Sequence, residues 1–482
     1  MPPHSDPLFP PTLGVQLAGY LRSEIGTGEL GRLLLAILDE AGIPTIPITF
    51  DETRARQQYR FPTALSALPR YPVNFVAVNA DQVPVFARRV GEDFFAGRFN
   101  IGYWAWEVEE FPEWMAASAA RFDEIWAISG HAAAAIARRV DRPVRAFPLA
   151  IDVEGHRRRE RSDLGLPEGF LFVVCFDYDS VVERKNPLGA IRAYLRAFPS
   201  PARVSGPRLL VKSVNGEFHP DQVAELAQVI AGRSDIELVD GYRSRRAQLQ
   251  LLASCDALIS LHRAEGFGLS MGEAMALGKP VVATAYSGNL EFMTPETARL
   301  VPYELAAIPA GAGPYAGRWA EPDLDAAAIA LRSLASDPQA ARELGDRARR
   351  HVLAEHSLAA RARKIADELS RLRPAAEARA SAGRPPGDFT SERIRPYVAA
   401  LLEHGPEVKA AKRGPTAALR RAVLRLARPL AEHQRKAGQA LLDLVAAEHL
   451  ECGAALAARD DELVRLEGRL RRLERRAADD RE

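Results

Sequence analysis

Glu265-Gly-Phe-Gly-Leu-Ser-Met-Gly-Glu273, continuing as Ala274-Met-Ala-Leu-Gly-Lys-Pro-Val-Val-Ala-Thr284, sets two carboxylates on either side of a glycine-rich turn. The apolar run Ala257–Leu261 before it reads as a buried strand. Ala274–Leu277 reads as part of a helix that Gly278 and Pro280 stop, and Val281–Thr284 as the next strand. Acids and flexible backbone thus fall in a strand–loop–helix–strand unit, at the point where an open α/β sheet takes its ligand. A helix opening near Ser270 offers unpaired N–H groups and a positive dipole end, which suit a phosphate. Gly266 and Gly268 let the backbone approach a ligand closely. A carboxylate suits sugar hydroxyls, so the loop as a whole points to a nucleotide sugar. Ser270-x-x-Glu273 is also a capping-box pattern, so a structural role for Glu273 stands beside a binding one. Glu265, in a glycine loop, has no comparable structural duty.

Outward from this unit the chain alternates strands and helices, the pattern of a parallel sheet. Strands are expected at Gly14–Leu21, Thr45–Phe50, Val73–Val78, Asn100–Tyr103, Glu124–Ile128 and Val144–Phe147. After an arginine-rich stretch around His156–Arg161 a second alternation starts at Phe170–Phe176. It runs through Leu209–Ser213, Ile236–Leu238, Ala257–Leu261, Val281–Thr284 and Arg299–Val301. The expected fold class is α/β: two Rossmann-like domains facing a cleft, plus a C-terminal helical, coiled-coil appendage. The expected divisions are a disordered 1–13, an N-terminal domain over 14–152, a nucleotide-sugar-binding domain over 153–372, a linker over 373–393 and a helical tail over 394–482. In the tail, Lys409–Lys436 carries nine Lys/Arg against the single acid Glu432. From Leu442 to Leu473 apolar residues recur three and four apart, a heptad seam interrupted by His449 and Arg459.

At 482 residues the chain is too long for one ordinary core. A net charge of +1 provides no global field for nucleic acid. Three distant cysteines, Cys175, Cys255 and Cys452, form no disulfide framework or metal-ligand spacing and fit a reducing compartment. The N-terminal stretch does not read as a signal peptide, and no apolar run reaches the length of a spanning helix. The expected location is cytoplasmic, with peripheral contact at the inner membrane face as the membrane option.

Other residues carry chemistry. Gly26-x-Gly28-x-x-Gly31, with Asp51 further on, matches the dinucleotide fingerprint and supports a rival, an NAD-dependent oxidoreductase. The glycines start several residues after the first strand, late for a tight strand-to-helix turn. Glu183-Arg-Lys-Asn186 offers a guanidinium fork and a point charge for phosphate oxygens. Asp177-Tyr-Asp179 has the D-x-D form of a metal site, but two acids alternating at a strand end are common. His131 and His262 read as satisfied structural histidines. Trp106 is an aromatic suited to a sugar face or to a core.

The paired-acid loop resembles the E-x7-E motif of the retaining glycosyltransferases of family 4, which have the GT-B fold. The resemblance extends to NIGYWAWEVEEFPEWM (100–115), FDEIWAIS (122–129), ERKNPLGAIRAY (183–194), the whole of 260–293 and WAEPD (319–323). It covers about Gly14 to about Ala366. It implies transfer of a hexose from a nucleotide-diphosphate sugar to an acceptor hydroxyl with retention, without metal or cofactor, in polysaccharide or glycoconjugate biosynthesis. By resemblance Glu265 and Lys185 are catalytic, and Arg184, Lys185, Glu265, Gly266, Phe267, Gly268, Leu269 and Glu273 bind the donor. The usual family arginine stands earlier, where this chain has Cys175–Asp179. Gly26, Gly28, Trp106 and Glu107 would face the cleft and the acceptor, a sugar or lipid-linked molecule. A homodimer through the tail and a non-catalytic sugar-binding scaffold are further readings.

Overall fold

The computed structural model describes residues 13–59, 61, 71–153, 159–201 and 206–382. The first sheet comprises Val15–Gly19 (β1), Thr45–Thr49 (β2), Val73–Ala77 (β3), Phe99–Trp104 (β4), Glu124–Ala127 (β5) and Val144–Ala146 (β6). All pair in parallel, in the order β2-β1-β3-β4-β5-β6. The second comprises Leu171–Asp177 (β7), Arg208–Val214 (β8), Ile236–Asp240 (β9), Ala257–Ser260 (β10), Val281–Thr284 (β11) and Arg299–Val301 (β12). It too is parallel, in the order β12-β11-β10-β7-β8-β9. Every residue of β1, β3 and β4 is buried, as expected of strands covered on both faces. Inside the first sheet, Gln16 Nε2 donates to Asn74 Oδ1 (2.5 Å) and Asn74 Nδ2 to Asn100 Oδ1 (2.8 Å), pairing buried amides across three strands.

Strand order places the site. In the second sheet it reverses between β7 and β10, so the loops that leave these two strands part at their carboxyl ends. One loop carries Arg184 and Lys185, the other Glu265.

The structure departs from the sequence reading in three places. The first long helix, Gly26–Glu40, opens at Gly26, so Gly26, Gly28 and Gly31 are helical rather than a loop. An antiparallel hairpin, Tyr303–Ala307 (β13) with Arg318–Pro322 (β14), was not expected. Most of β13 is exposed and lacks the apolar signal of the sheet strands, while Ile308 and Tyr315 in its loop pack on the first domain's core. The final helix, Leu358–Ala382, runs through the first ten residues of the stretch read as a linker, 373–382, with Pro374 inside it. It packs across the first domain: Arg371 donates to both carboxylate oxygens of Glu124 (3.1 and 2.9 Å), and Arg379 pairs with Asp123. The proline-rich start before Leu13, the basic stretch and the heptad seam lie outside the described residues. Among the described residues no helix is long and apolar enough to cross a membrane.

Gly345, in the Pro338–His356 helix, touches the end of the helix that follows the paired-acid loop. A Cβ at Gly345 would stand 2.0 Å from Gly278 O. Gly345→Ala should therefore cost about 1–3 kcal/mol through forced separation of the two helices. A thermal melt equal to the parent's would show that the helices are not in this contact.

Candidate active site

The two site cations are held by unusual backbone. Val181 (φ 58°) and Asn186 (φ 52°) are left-handed and bracket the one-turn helix Val182–Lys185. A β-branched residue there is strained, so its surroundings must hold it. Asn186 secures one side: its Oδ1 accepts from Gly189 N (3.0 Å) and its Nδ2 donates to Leu261 O (2.8 Å), tying this loop to β10. Arg184 is buried and donates through Nη1 to Ala264 O (2.8 Å), while Lys185 remains partly exposed.

Glu265 meets both. Lys185 Nζ donates to its Oε1 at 2.5 Å, and Arg184 Nη1 lies 3.6 Å from its Oε2. The loop is locked by Glu265 N donating to Ser287 Oγ (2.8 Å) and Gly288 N to Glu265 O (2.9 Å). Gly288 is required there, since a Cβ would lie 2.1 Å from Gly266 O. Burial alone would push the Glu265 carboxyl up, but Lys185 and Arg184 outweigh it and hold it down at about 2. Burial opposes the Arg184 charge, yet Tyr315, Glu107 and Glu265 keep its pKa above the ordinary value.

Glu273 does not cap its own helix. That helix, Leu269–Ala276, follows Gly268 (φ 91°) with no side-chain cap. The Glu273 carboxylate is 2% exposed and accepts from Arg245 Nη1 at 2.5 Å. Arg245 also donates through Nη2 to Asp152 O (3.0 Å), and its Nε lies 3.6 Å from Glu29 of the first domain. Burial pushes the Glu273 carboxyl up, against Arg245. Burial also opposes the Arg245 charge, which Glu273 and Glu29 sustain above its ordinary pKa. The sequence reading missed Arg245; no spacing relates it to Glu273.

A cavity of about 500 Å³ brings together Gly26, Glu107, Arg184, Lys185 and the loop Glu265–Leu269, including Gly266, Phe267 and Gly268. Glu107 comes from the first domain, and Tyr315 of the hairpin loop donates to its Oε2 at 3.0 Å. A second cavity of about 350 Å³ shares Gly26, Lys185 and Ser270 with the first and adds Lys212, Tyr242 and Arg245. Two cleft expectations are corrected. Trp106 is 3% exposed, donates to Glu110 O (3.1 Å) and packs against Phe111 and Tyr315, so its ring belongs to the core. Gly28 is buried where a Cβ would stand 2.3 Å from Ser23 O, so it serves the packing of helix on loop.

The remaining candidates are engaged elsewhere. The glycines of the dinucleotide pattern lie within a helix, and Asp51 pairs with Arg22 at 3.3 Å. Asp177 accepts from Asp179 N (3.0 Å) and Asn215 Nδ2 (2.7 Å), and Asp179 pairs with His219 (2.7 Å). Among the described residues no group of three or more His, Cys, Asp or Glu could hold a metal ion. His262 is fully buried among Ser260, Tyr286 and Asn289, and His131 bonds Glu107 O (3.0 Å). Both match the structural reading.

Residues 129–365 match the family described as Family 4 Glycosyltransferase in conflict systems. No curated protein sequence matches the chain. Among solved structures it is similar to HepE of Anabaena in complex with UDP and glucose: TM-score 0.57, 16% identity, 75% of this chain and 100% of that one. Sucrose-phosphate synthase of Thermosynechococcus elongatus is similar at TM-score 0.55 and 18% identity, over 75% of this chain and 99% of that one. A glycosyltransferase of Rickettsia africae is similar at TM-score 0.55 and 12% identity, over 75% and 99%. At these identities the likeness establishes the two-domain fold.

A carboxyl held below its unfolded value contributes stability that is fully present above that value and lost as pH falls through the folded one. For Glu265 the window runs from pH 4.5 down to about 2. The contribution is on the order of 3 kcal/mol. Denaturant melts across this window should fall more steeply for the parent than for Glu265→Gln; parallel profiles would show that the carboxyl is not held this way.

Proposed function

We infer that the chain, whose residues 129–365 match a family 4 glycosyltransferase family, moves a hexose from a nucleotide-diphosphate sugar to an acceptor hydroxyl with retention. The observation that carries this reading is Glu265 held between Lys185 and Arg184 at the switch point of the second sheet, on a cleft of hexose-nucleotide size. HepE, which shares the fold, has been captured in complex with UDP-glucose.

The residues divide the work by chemistry. Lys185 carries three donors, so it serves Glu265 and a phosphate oxygen together. The backbone at Gly268–Leu269 opens a helix beside it and adds N–H groups for the diphosphate. Glu265 accepts from donor-sugar hydroxyls. Charge developing on the departing diphosphate then meets fixed cations and N–H groups, which need no reorganisation when the bond breaks. Arg184, which lines the same cavity, fixes Glu265 and adds positive charge on the diphosphate side. Glu273, with Arg245, serves the ribose side, and Glu107 faces the acceptor from the first domain. In this reading no metal takes part, and the acceptor hydroxyl attacks on the face the diphosphate leaves. A polysaccharide or glycoconjugate acceptor and a cytoplasmic setting complete it.

Glu265→Gln should lower transfer by about 100-fold or more, followed as nucleoside diphosphate released at a temperature where the variant is folded. Full activity would sink the assignment. Lys185→Ala should cost about 1.5–3 kcal/mol of nucleoside-diphosphate affinity by calorimetry. EDTA should leave transfer unchanged; loss restored by Mg²⁺ or Mn²⁺ would remove the metal-free reading.

The heptad pattern over 442–473 calls for a partner segment, which a second copy of the chain or this chain's own 394–436 would supply. The basic stretch 409–436 suits an anionic membrane surface. Because the Leu358–Ala382 helix packs on the first domain, the informative truncation falls after Ala382. It should yield a monomer by light scattering and lose binding to anionic vesicles. An unchanged oligomeric state would remove the dimer role, and unchanged vesicle binding the membrane role.

A further inference from the structure

We propose that Lys212 reads the base of the donor nucleotide, selecting a base with a carbonyl on its outer edge (O4 of uracil, O6 of guanine) over one with an amino group there (cytosine, adenine). On the donor reading of the cleft, on which this rests, the diphosphate lies at Lys185 and the start of the Leu269–Ala276 helix, with the sugar toward Glu265. The nucleoside is left with the second cavity, of about 350 Å³, which meets the first at Gly26, Lys185 and Ser270. Lys212, Tyr242 and Arg243 line the part of it that the first cavity does not reach. A base lying there turns the edge opposite its ribose away from the phosphates and toward this wall.

Lys212 stands near the end of β8, in register with Cys175 of β7, which lines the same cavity. It is 4% exposed. Its Nζ donates to Ser213 O and Gly241 O, two backbone carbonyls. An ammonium carries three donors, so one remains. Both acceptors are uncharged, and among the described residues no carboxylate pairs with Lys212. Asp240, whose charge supports it from a distance, is turned to Ser213 Oγ (2.7 Å) and Gly216 N (3.1 Å). Burial pulls the Lys212 pKa down, and the neighbouring Arg243 adds to this. A buried cation with a donor to spare gains from one more acceptor. A base carbonyl is such an acceptor, planar and neutral, and the bond to it is charge-assisted. An amino group in the same place would set donor against donor, which a site built on this bond rejects. The rest of the wall suits a flat base: Val214 lines it, and the Tyr242 ring is held by its hydroxyl, which donates to Asn215 Oδ1 (2.7 Å).

The test is calorimetry on the full chain with UDP, CDP, GDP and ADP as probes. The parent should bind UDP more tightly than CDP, or GDP more tightly than ADP, by about tenfold or more. Lys212→Met keeps the apolar stem and removes the donors. It should bring the favoured nucleotide down to the affinity of its amino counterpart and leave that counterpart unchanged. Lys185→Ala should instead weaken all that bind by a common factor and keep the preference, because it serves the phosphates. Equal affinity of the parent within both pairs would overturn the proposal, and this comparison holds even where Lys212→Met does not fold. Uniform weakening in Lys212→Met would assign Lys212 to the diphosphate, and an undiminished preference would leave it a tie between β8 and β9. Either result overturns the proposal while the donor reading stands. Failure of all four to bind the parent would overturn the donor reading and the proposal with it.

Discussion

The carboxylate of Glu265 between Lys185 and Arg184 is the interaction on which the second domain's chemistry rests. It joins the loop after β10 to the loop after β7, two segments that meet only because the strand order reverses between them. Removing the acid would leave the buried Arg184 without its nearest carboxylate, and a buried charge that loses its partner is costly. The strained turn at Val181 and Asn186 follows from this demand: it turns two consecutive cations toward one acid. Arg184 is buried and also donates to Ala264 O. Lys185 is the more exposed, and both line the cavity.

The same logic extends between the domains. Arg245 ties the buried Glu273 to the backbone of Asp152 and approaches Glu29 on the first domain's leading helix. The β13–β14 hairpin sends Tyr315 to Glu107, and the last helix lays Arg371 on Glu124. Polar bridges thus connect the two sheets at the cleft and behind it. They accompany apolar packing that also runs through both halves, from Leu17 and Ile128 to Leu258 and Met275.

Some of this was legible in the chain itself. Apolar runs of strand length between helical stretches gave twelve strands and both parallel sheets, with ends off by a residue or two. The paired acids and their glycines marked the site because few structural duties need that combination in one loop. The hairpin escaped because β13 is mostly exposed and lacks an apolar pattern. The start of the presumed linker proved helical because Leu369, Leu372 and Ala376 find the first domain to pack on, whatever the Pro and Gly content around them.

The sequence by itself determined which residue types stand at the site and how far apart along the chain, because local pattern and backbone chemistry act over a few residues. Only the tertiary structure decided their partners. Glu273 has the spacing of a helix cap, yet its carboxylate is held by Arg245, twenty-eight residues earlier. Arg184 and Lys185 are neighbours with the same charge, yet one is buried and the other partly exposed on the same cavity. Trp106 and Glu107 part in the same way, one into the core and one to the wall of the cavity. Adjacent side chains point in different directions, and which direction meets solvent depends on what the rest of the chain brings alongside.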